Sequence, residues 1–103
     1  MLRVPLESKP TGETKTYQFD FASDLASGET LSSYSTVATV YSGTDASPSS
    51  IISGSASASG SIVSQKITAG TVGVIYQLLC TAVTSASQTL QRSGYLAVIP
   101  PLP

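Results

Sequence analysis

The sequence has no histidine, a single cysteine and only 11% charged residues. Without histidine the chain lacks both the commonest general base and the commonest metal ligand, and a serine-histidine-aspartate triad is excluded. Cys80 alone forms neither an internal disulfide nor a cysteine-based metal cluster. Its place in an apolar segment reads as a small buried hydrophobe, because a reactive thiol needs an electropositive and partly exposed setting. The formal net charge is −1, so no basic field exists to hold a phosphate backbone or an anionic membrane surface, and neither nucleic acid nor membrane is an expected partner. No apolar run approaches the roughly 18 residues of a membrane span, and the stretch from Met1 to Leu6 is too short and interrupted for a signal peptide. The expectation is synthesis in the cytosol and retention there until assembly.

What is present in quantity is hydroxyl. Serine and threonine account for 31 of the 103 residues, against 11 that are charged. Such a surface is wetted but only weakly repulsive, which suits a protein packed among neighbours. The length allows one domain that buries roughly two-thirds of the surface its unfolded chain exposes.

The pattern along the chain has the period of strands. Residues 1–13 hold two prolines, a glycine and mixed charges with no periodicity, and read as an extended arm. Tyr17, Phe19 and Phe21 then alternate with Gln18 and Asp20, the mark of a half-buried strand. Between Asp24 and Glu29, turn formers surround Leu25, which is expected to plug the end of the core, while Gly28 takes a backbone angle other residues resist. Thr30 to Ser42 is rich in β-branched and aromatic residues. It reads as one bent strand or two short ones, with the bend at Ser32-Ser33. A loop follows to Ser50, with Asp45 and Pro48 as turn signals. Ile51 to Gly60 alternates small residues with smaller ones and reads as a strand in preference to a serine-rich linker, because Ile62, Val63 and Ile67 resume a strand pattern directly afterwards.

Gly70 to Val83 is the longest apolar run, and Tyr76, Leu78, Cys80 and Ala82 fall on one face of it. This is the expected central strand, joined by a tight turn at Ser85-Ala86-Ser87 to a last strand from Leu90 to Ile99, with a bulge at Ser93-Gly94. Pro100 to Pro103 cannot extend a ladder, so this tail blocks an edge or projects to a partner. The sum is an all-β chain: a sandwich domain of six or seven antiparallel strands over 14–99, of the immunoglobulin-like kind, between the arm at 1–13 and a proline-rich tail at 100–103. Tyr76 stands two residues before Leu78, as the corner tyrosine of immunoglobulin domains stands two before a cysteine.

The search for chemistry returns no catalytic, cofactor-binding or metal site. Asp20, Asp24 and Glu29 lie close in sequence, as a calcium or acid/base carboxylate cluster would. The strand and turn pattern sets them apart, however. A serine-lysine dyad would need Lys15 or Lys66, both in exposed strand positions. Gly70-x-x-Gly73 lacks the pattern of a phosphate loop and reads as shaping the entry to a strand. Tyr34, Tyr41 and Tyr95 form the one candidate platform for stacking a sugar.

The segments Tyr17-Gln18-Phe19-Asp20-Phe21, Leu25-Ala26-Ser27-Gly28-Glu29-Thr30-Leu31, Gly70-Thr71-Val72-Gly73-Val74-Ile75-Tyr76-Gln77-Leu78 and Leu96-Ala97-Val98, in that order, resemble a family of small tailed-bacteriophage virion proteins, the fiber-tail adaptors. The likeness spans residues 16 to 99. It implies a non-enzymatic structural component of the virion, present in several copies as a symmetric homo-oligomer and joining tail and receptor-binding fiber subunits by protein-protein contacts. A capsid decoration or cement protein and a carbohydrate-binding adhesion module are the alternatives. The Ser/Ala edge near 51–61, the arm and the tail are the expected contact elements.

Overall fold

The computed structural model describes residues 6 and 8–101. Seven strands run in chain order: β1 (Lys9–Pro10), β2 (Lys15–Asp20), β3 (Leu31–Ser42), β4 (Ile52–Ser59), β5 (Ile62–Ile67), β6 (Ile75–Thr84) and β7 (Thr89–Ile99). Short 3₁₀ turns at Ala22–Asp24 and Pro48–Ile51 complete the secondary structure. Two sheets pack face to face, one in the order β1-β7-β6-β3 and the other in the order β2-β5-β4. All pairs are antiparallel except β1 with β7.

The core follows from the alternation. On β6 every second residue from Tyr76 to Thr84 is buried, and on β7 Gly94, Leu96 and Val98 are buried likewise. Tyr17 and Phe19 of β2 and Val63 and Ile67 of β5 face them from the other sheet. Cys80 is fully buried there, and burial pushes its thiol up, with a smaller opposing influence from the hydroxyl of Thr36, its cross-strand neighbour. The inward row of Tyr17, Phe19, Tyr76, Leu78 and Cys80 is thus the contact between the layers.

Several local expectations change. The run from Gly70 enters its strand only at Ile75, because residues 70–74 form a turn with Gly70 at φ 98° and Gly73 at φ 88°. A Cβ on Gly70 would lie 2.7 Å from Val98 Cγ2, so this glycine is required by packing as well as by its backbone angle. Thr30 to Ser42 is one strand, and the irregularity expected at Ser32-Ser33 is a register shift between Leu31 and Ser33. The bulge expected at Ser93-Gly94 is not there: Leu78 and Leu79 pair with Gly94 and Ser93 in unbroken register. Gly94 is small for a different reason, since a Cβ there would meet the Leu6 side chain at 2.7 Å. Leu25 is only half-buried and lies outside the core cluster, and the end of the core is filled by the fully buried Phe21.

Part of the segment read as an arm is a strand. Leu6 N–H donates to Tyr95 O at 2.9 Å, and Lys9 and Pro10 pair with Val98 and Ile99. Lys9 is fully buried, and its Nζ donates to the carbonyls of Pro10 at 2.7 Å, Thr11 at 3.3 Å and Glu13 at 2.6 Å. The ammonium thereby knits the turn that leads from β1 to β2. Gly94→Ala is expected to push Leu6 off β7 and to lower stability by about 1–2 kcal/mol, the range for a modest overpacking. Faster amide exchange at Leu6 and Lys9 than in the parent would check it. Residues 1–5 and 7 of the arm and 102–103 of the tail lie outside the described residues.

Candidate interaction surfaces

Several of the described ionisable side chains hold the frame. Asp20 Oδ1 accepts the Ala22 N–H at 2.9 Å and the Ser61 hydroxyl at 3.1 Å. Asp24 Oδ2 receives Arg92 Nη2 at 2.6 Å. Glu29 accepts the Ala26 N–H at 2.8 Å and, through its other oxygen, the Thr84 hydroxyl. The three carboxylates named as a possible cluster therefore serve three separate places. Among the described residues no group of three His, Cys, Asp or Glu side chains is placed to hold a metal ion. Lys15 lies 3.9 Å from Glu13, and Lys66 stands on an open, hydroxyl-lined groove with Thr16, Ser53, Ser55, Ser57 and Ser64. Tyr41 and Tyr95 meet with ring centroids 4.5 Å apart. Tyr34 packs inward against the core opposite Ala82, so the three tyrosines do not make one platform.

Three buried polar residues among those described escaped the sequence reading, Lys9, Gln65 and Thr84. Gln65 faces the core beside Val63 and Ile67, and its Nε2 lies 3.3, 3.2 and 3.0 Å from the carbonyls of Ser53, Gly54 and Lys66. These bonds hold the bulge in β4, where pairing with β5 is interrupted between Ser53 and Ser57 and Gly54 has φ 71°. The period of two through Val63, Gln65 and Ile67 is the signal that places Gln65 inside. No comparable signal marks Lys9.

Near the base of β6, the Tyr76 hydroxyl donates to Asp45 Oδ2 at 2.6 Å and accepts the Thr71 N–H at 2.9 Å. The Tyr76 and Ser47 donors hold the Asp45 carboxyl below its usual range, and the Ala26 and Thr84 donors do the same for Glu29. In both cases the unfolded chain binds more protons than the folded one in the window just below the ordinary pKa. The stability these groups contribute is present above about pH 4 to 4.5 and is lost as pH falls through their folded values. Glu29→Gln removes one of these groups, so its stability is expected to fall less steeply than the parent's as pH drops below about 4.5, which a circular-dichroism pH titration measures.

With these groups committed, the surfaces that remain are strand edges and sheet faces. The outward residues of β3, β6 and β7 include Val37, Ile75, Leu79, Val83, Tyr95 and Ile99, and no charged residue lies among them. Each sheet also ends in two edge strands, and an edge offers unpaired backbone groups to another chain unless it is guarded. The β1 edge is two residues long and contains Pro10, and β2 carries Lys15 and Asp20. The β4 edge is uncharged but broken by its bulge. The β3 edge is twelve residues long, with neither charge nor proline.

The described residues thus form a small all-β sandwich whose side-chain hydrogen bonds go largely to turns and loops and whose sheets end in open edges. Residues 9–97 match a family described as podophage GP4 fiber-tail adaptor protein gp77. The chain belongs to this family, and the match runs from the first strand to within two residues of the end of the last. Neither the curated proteins nor the solved structures gave a match.

Proposed function

We propose that the protein is a non-enzymatic structural component of a podophage virion that connects the tail to receptor-binding fibers through protein-protein contacts. The observation that carries this reading is the extent of the family match, which takes in nearly the whole sandwich. The uncharged outer face of β3, β6 and β7 and the serine-rich β4 edge are the surfaces such contacts would use, the edge by strand addition. In this reading Pro100 and Pro101, exposed after β7, are a further contact for neighbouring subunits, and the assembly is a symmetric homo-oligomer made in the host cytoplasm.

The sandwich itself is of the immunoglobulin-like kind. Its sheets order as β2-β5-β4 against β7-β6-β3, which corresponds to B-E-D against G-F-C, with β1 added in parallel to β7. Tyr76 at the start of β6 bonds back to the backbone five residues upstream, as a corner tyrosine does, with Leu78 in place of the cysteine.

Density for this chain in a reconstruction of the intact particle tests the proposal. Density at the junction of tail and fibers supports it. Density on the capsid surface would establish a decoration protein instead. Saturable glycan binding lost in Tyr41→Ala and Tyr95→Ala, with no density in the particle, would establish an adhesion module.

A further inference from the structure

We propose that the outer face of the β2-β5-β4 sheet holds a binding site for an acidic saccharide, one whose sugar units carry a carboxylate. Lys66 meets the carboxylate, and the hydroxyls around it meet the sugar. The site goes beyond the adaptor reading and does not depend on it.

Three observations carry it. The first is a groove of about 430 Å³ lined by Thr16 of β2, Ser64 and Lys66 of β5, and Ser53, Ser55 and Ser57 of β4. Its shape comes from the ladder. Thr16 and Ser53 stand on either side of Lys66 in register, Ser57 stands beside Ser64, and between these pairs β4 leaves the ladder over Gly54, Ser55 and Ala56. Gln65 bonds from beneath to the carbonyls of Ser53 and Gly54, so the hollow is built into the folded chain and need not be opened for a ligand.

The second is charge. Lys9 is buried on backbone carbonyls, Lys15 pairs with Glu13 and Arg92 pairs with Asp24. Among the described residues Lys66 is the one lysine or arginine that is neither buried nor ion-paired, and no carboxylate lines its groove. A single ammonium there complements a single negative charge. It suits a carboxylate, whereas a phosphate monoester brings nearly two charges and three acceptor oxygens, more than one lysine can meet.

The third is hydroxyl. Ser32, Ser61 and Thr84 spend their hydroxyls on bonds within the chain. Among the described residues those of Thr16, Ser53, Ser55, Ser57 and Ser64 do not, and each can both donate and accept. Such groups around one cation match a polyol, whose hydroxyls have the same dual character. An acidic polypeptide would bring the charge together with aliphatic stems, and no apolar residue lines this groove to receive them. The chain's net charge of −1 exerts no general pull on an anion, so binding of an acidic sugar reports on the groove itself.

Amide NMR of the full chain titrated with tetragalacturonate tests the site, with an uncharged galactose tetramer and a hexaglutamate peptide as comparisons. Saturable shifts are expected at Thr16, Ser55, Ser64 and their neighbours with the acidic sugar. The uncharged tetramer should bind about tenfold more weakly or less, as for loss of a charge-assisted hydrogen bond. Lys66→Gln should lose a similar factor for tetragalacturonate while melting as the parent does, since its side chain is exposed. Lys15→Gln changes the net charge equally but lies outside the groove, and should bind as the parent does. The proposal is overturned by the absence of saturable shifts at the groove, by equal affinity for the charged and uncharged sugars, or by unchanged binding in Lys66→Gln. Tighter binding of hexaglutamate there would overturn it too, and would make the groove a contact for acidic polypeptide. None of these results bears on the adaptor reading, which particle density decides.

Discussion

Phe21→Ala is expected to lower the free energy of unfolding by about 3–5 kcal/mol, the range for emptying a buried aromatic site. Small domains hold about 5–15 kcal/mol in total, so this one change takes a large share of the fold's stability. Phe21 is fully buried where β2 ends, its N–H donates to Ser61 O at 3.0 Å, and its ring fills the end of the core that Leu25 leaves open. Arg92 lies over that ring, 5.1 Å from its centroid, and is held there by Asp24. The two contributions separate. Arg92→Ala removes a half-exposed ion pair and a partly solvated cation–π contact, together worth about 1 kcal/mol or less. Urea unfolding of both variants decides the matter: a midpoint loss for Arg92→Ala equal to that for Phe21→Ala would mean that the guanidinium, not the ring, closes the sandwich.

Tyr76→Phe is expected to cost about 1.5–3 kcal/mol, as for loss of a hydrogen bond to a charged acceptor. The ring stays in the core, so no cavity contributes. What is lost is a hydroxyl that ties three segments together: β6 through its own backbone, the loop before β4 through Asp45, and the turn before β6 through Thr71. A double-mutant cycle with Asp45→Asn should show that the two effects are not additive, because each variant breaks the same bond. The parent and Tyr76→Phe should also converge as pH falls through the folded pKa of Asp45. Protonation removes the charged acceptor in the parent, leaving less for the variant to lose. Independent effects in the cycle would place the stabilisation elsewhere.

Much of the sandwich was legible from residue order alone. The alternation of Tyr17, Phe19 and Phe21, and of Tyr76, Leu78, Cys80 and Ala82, settles which side of each strand is dry, because side chains on a strand change face at every residue. The hairpin at Ser85–Ser87 was visible as a short polar interval between two strong patterns, and Ser87 takes the left-handed backbone angle that such a turn uses. The carboxylates Asp20, Asp24 and Glu29 each bond to one distant side chain, Ser61, Arg92 and Thr84 respectively, and Asp20 and Glu29 also to nearby backbone. One misread glycine shows the limit. Gly94 reads as a bulge in one dimension, but its size is dictated by Leu6, some ninety residues away in the chain.

The sequence by itself determined the period of the strands, their inward rows and the absence of histidine chemistry, since these depend only on neighbours along the chain and on which side chains exist. Tertiary structure alone decided that Lys9 is buried among three carbonyls and that Gln65 holds the β4 bulge. It decided also that β3 ends its sheet. The reason is the same in each case. Whether a polar group is satisfied, or an edge open, depends on which distant backbone lies beside it, and that is fixed only when the strands have taken their order in the sheets.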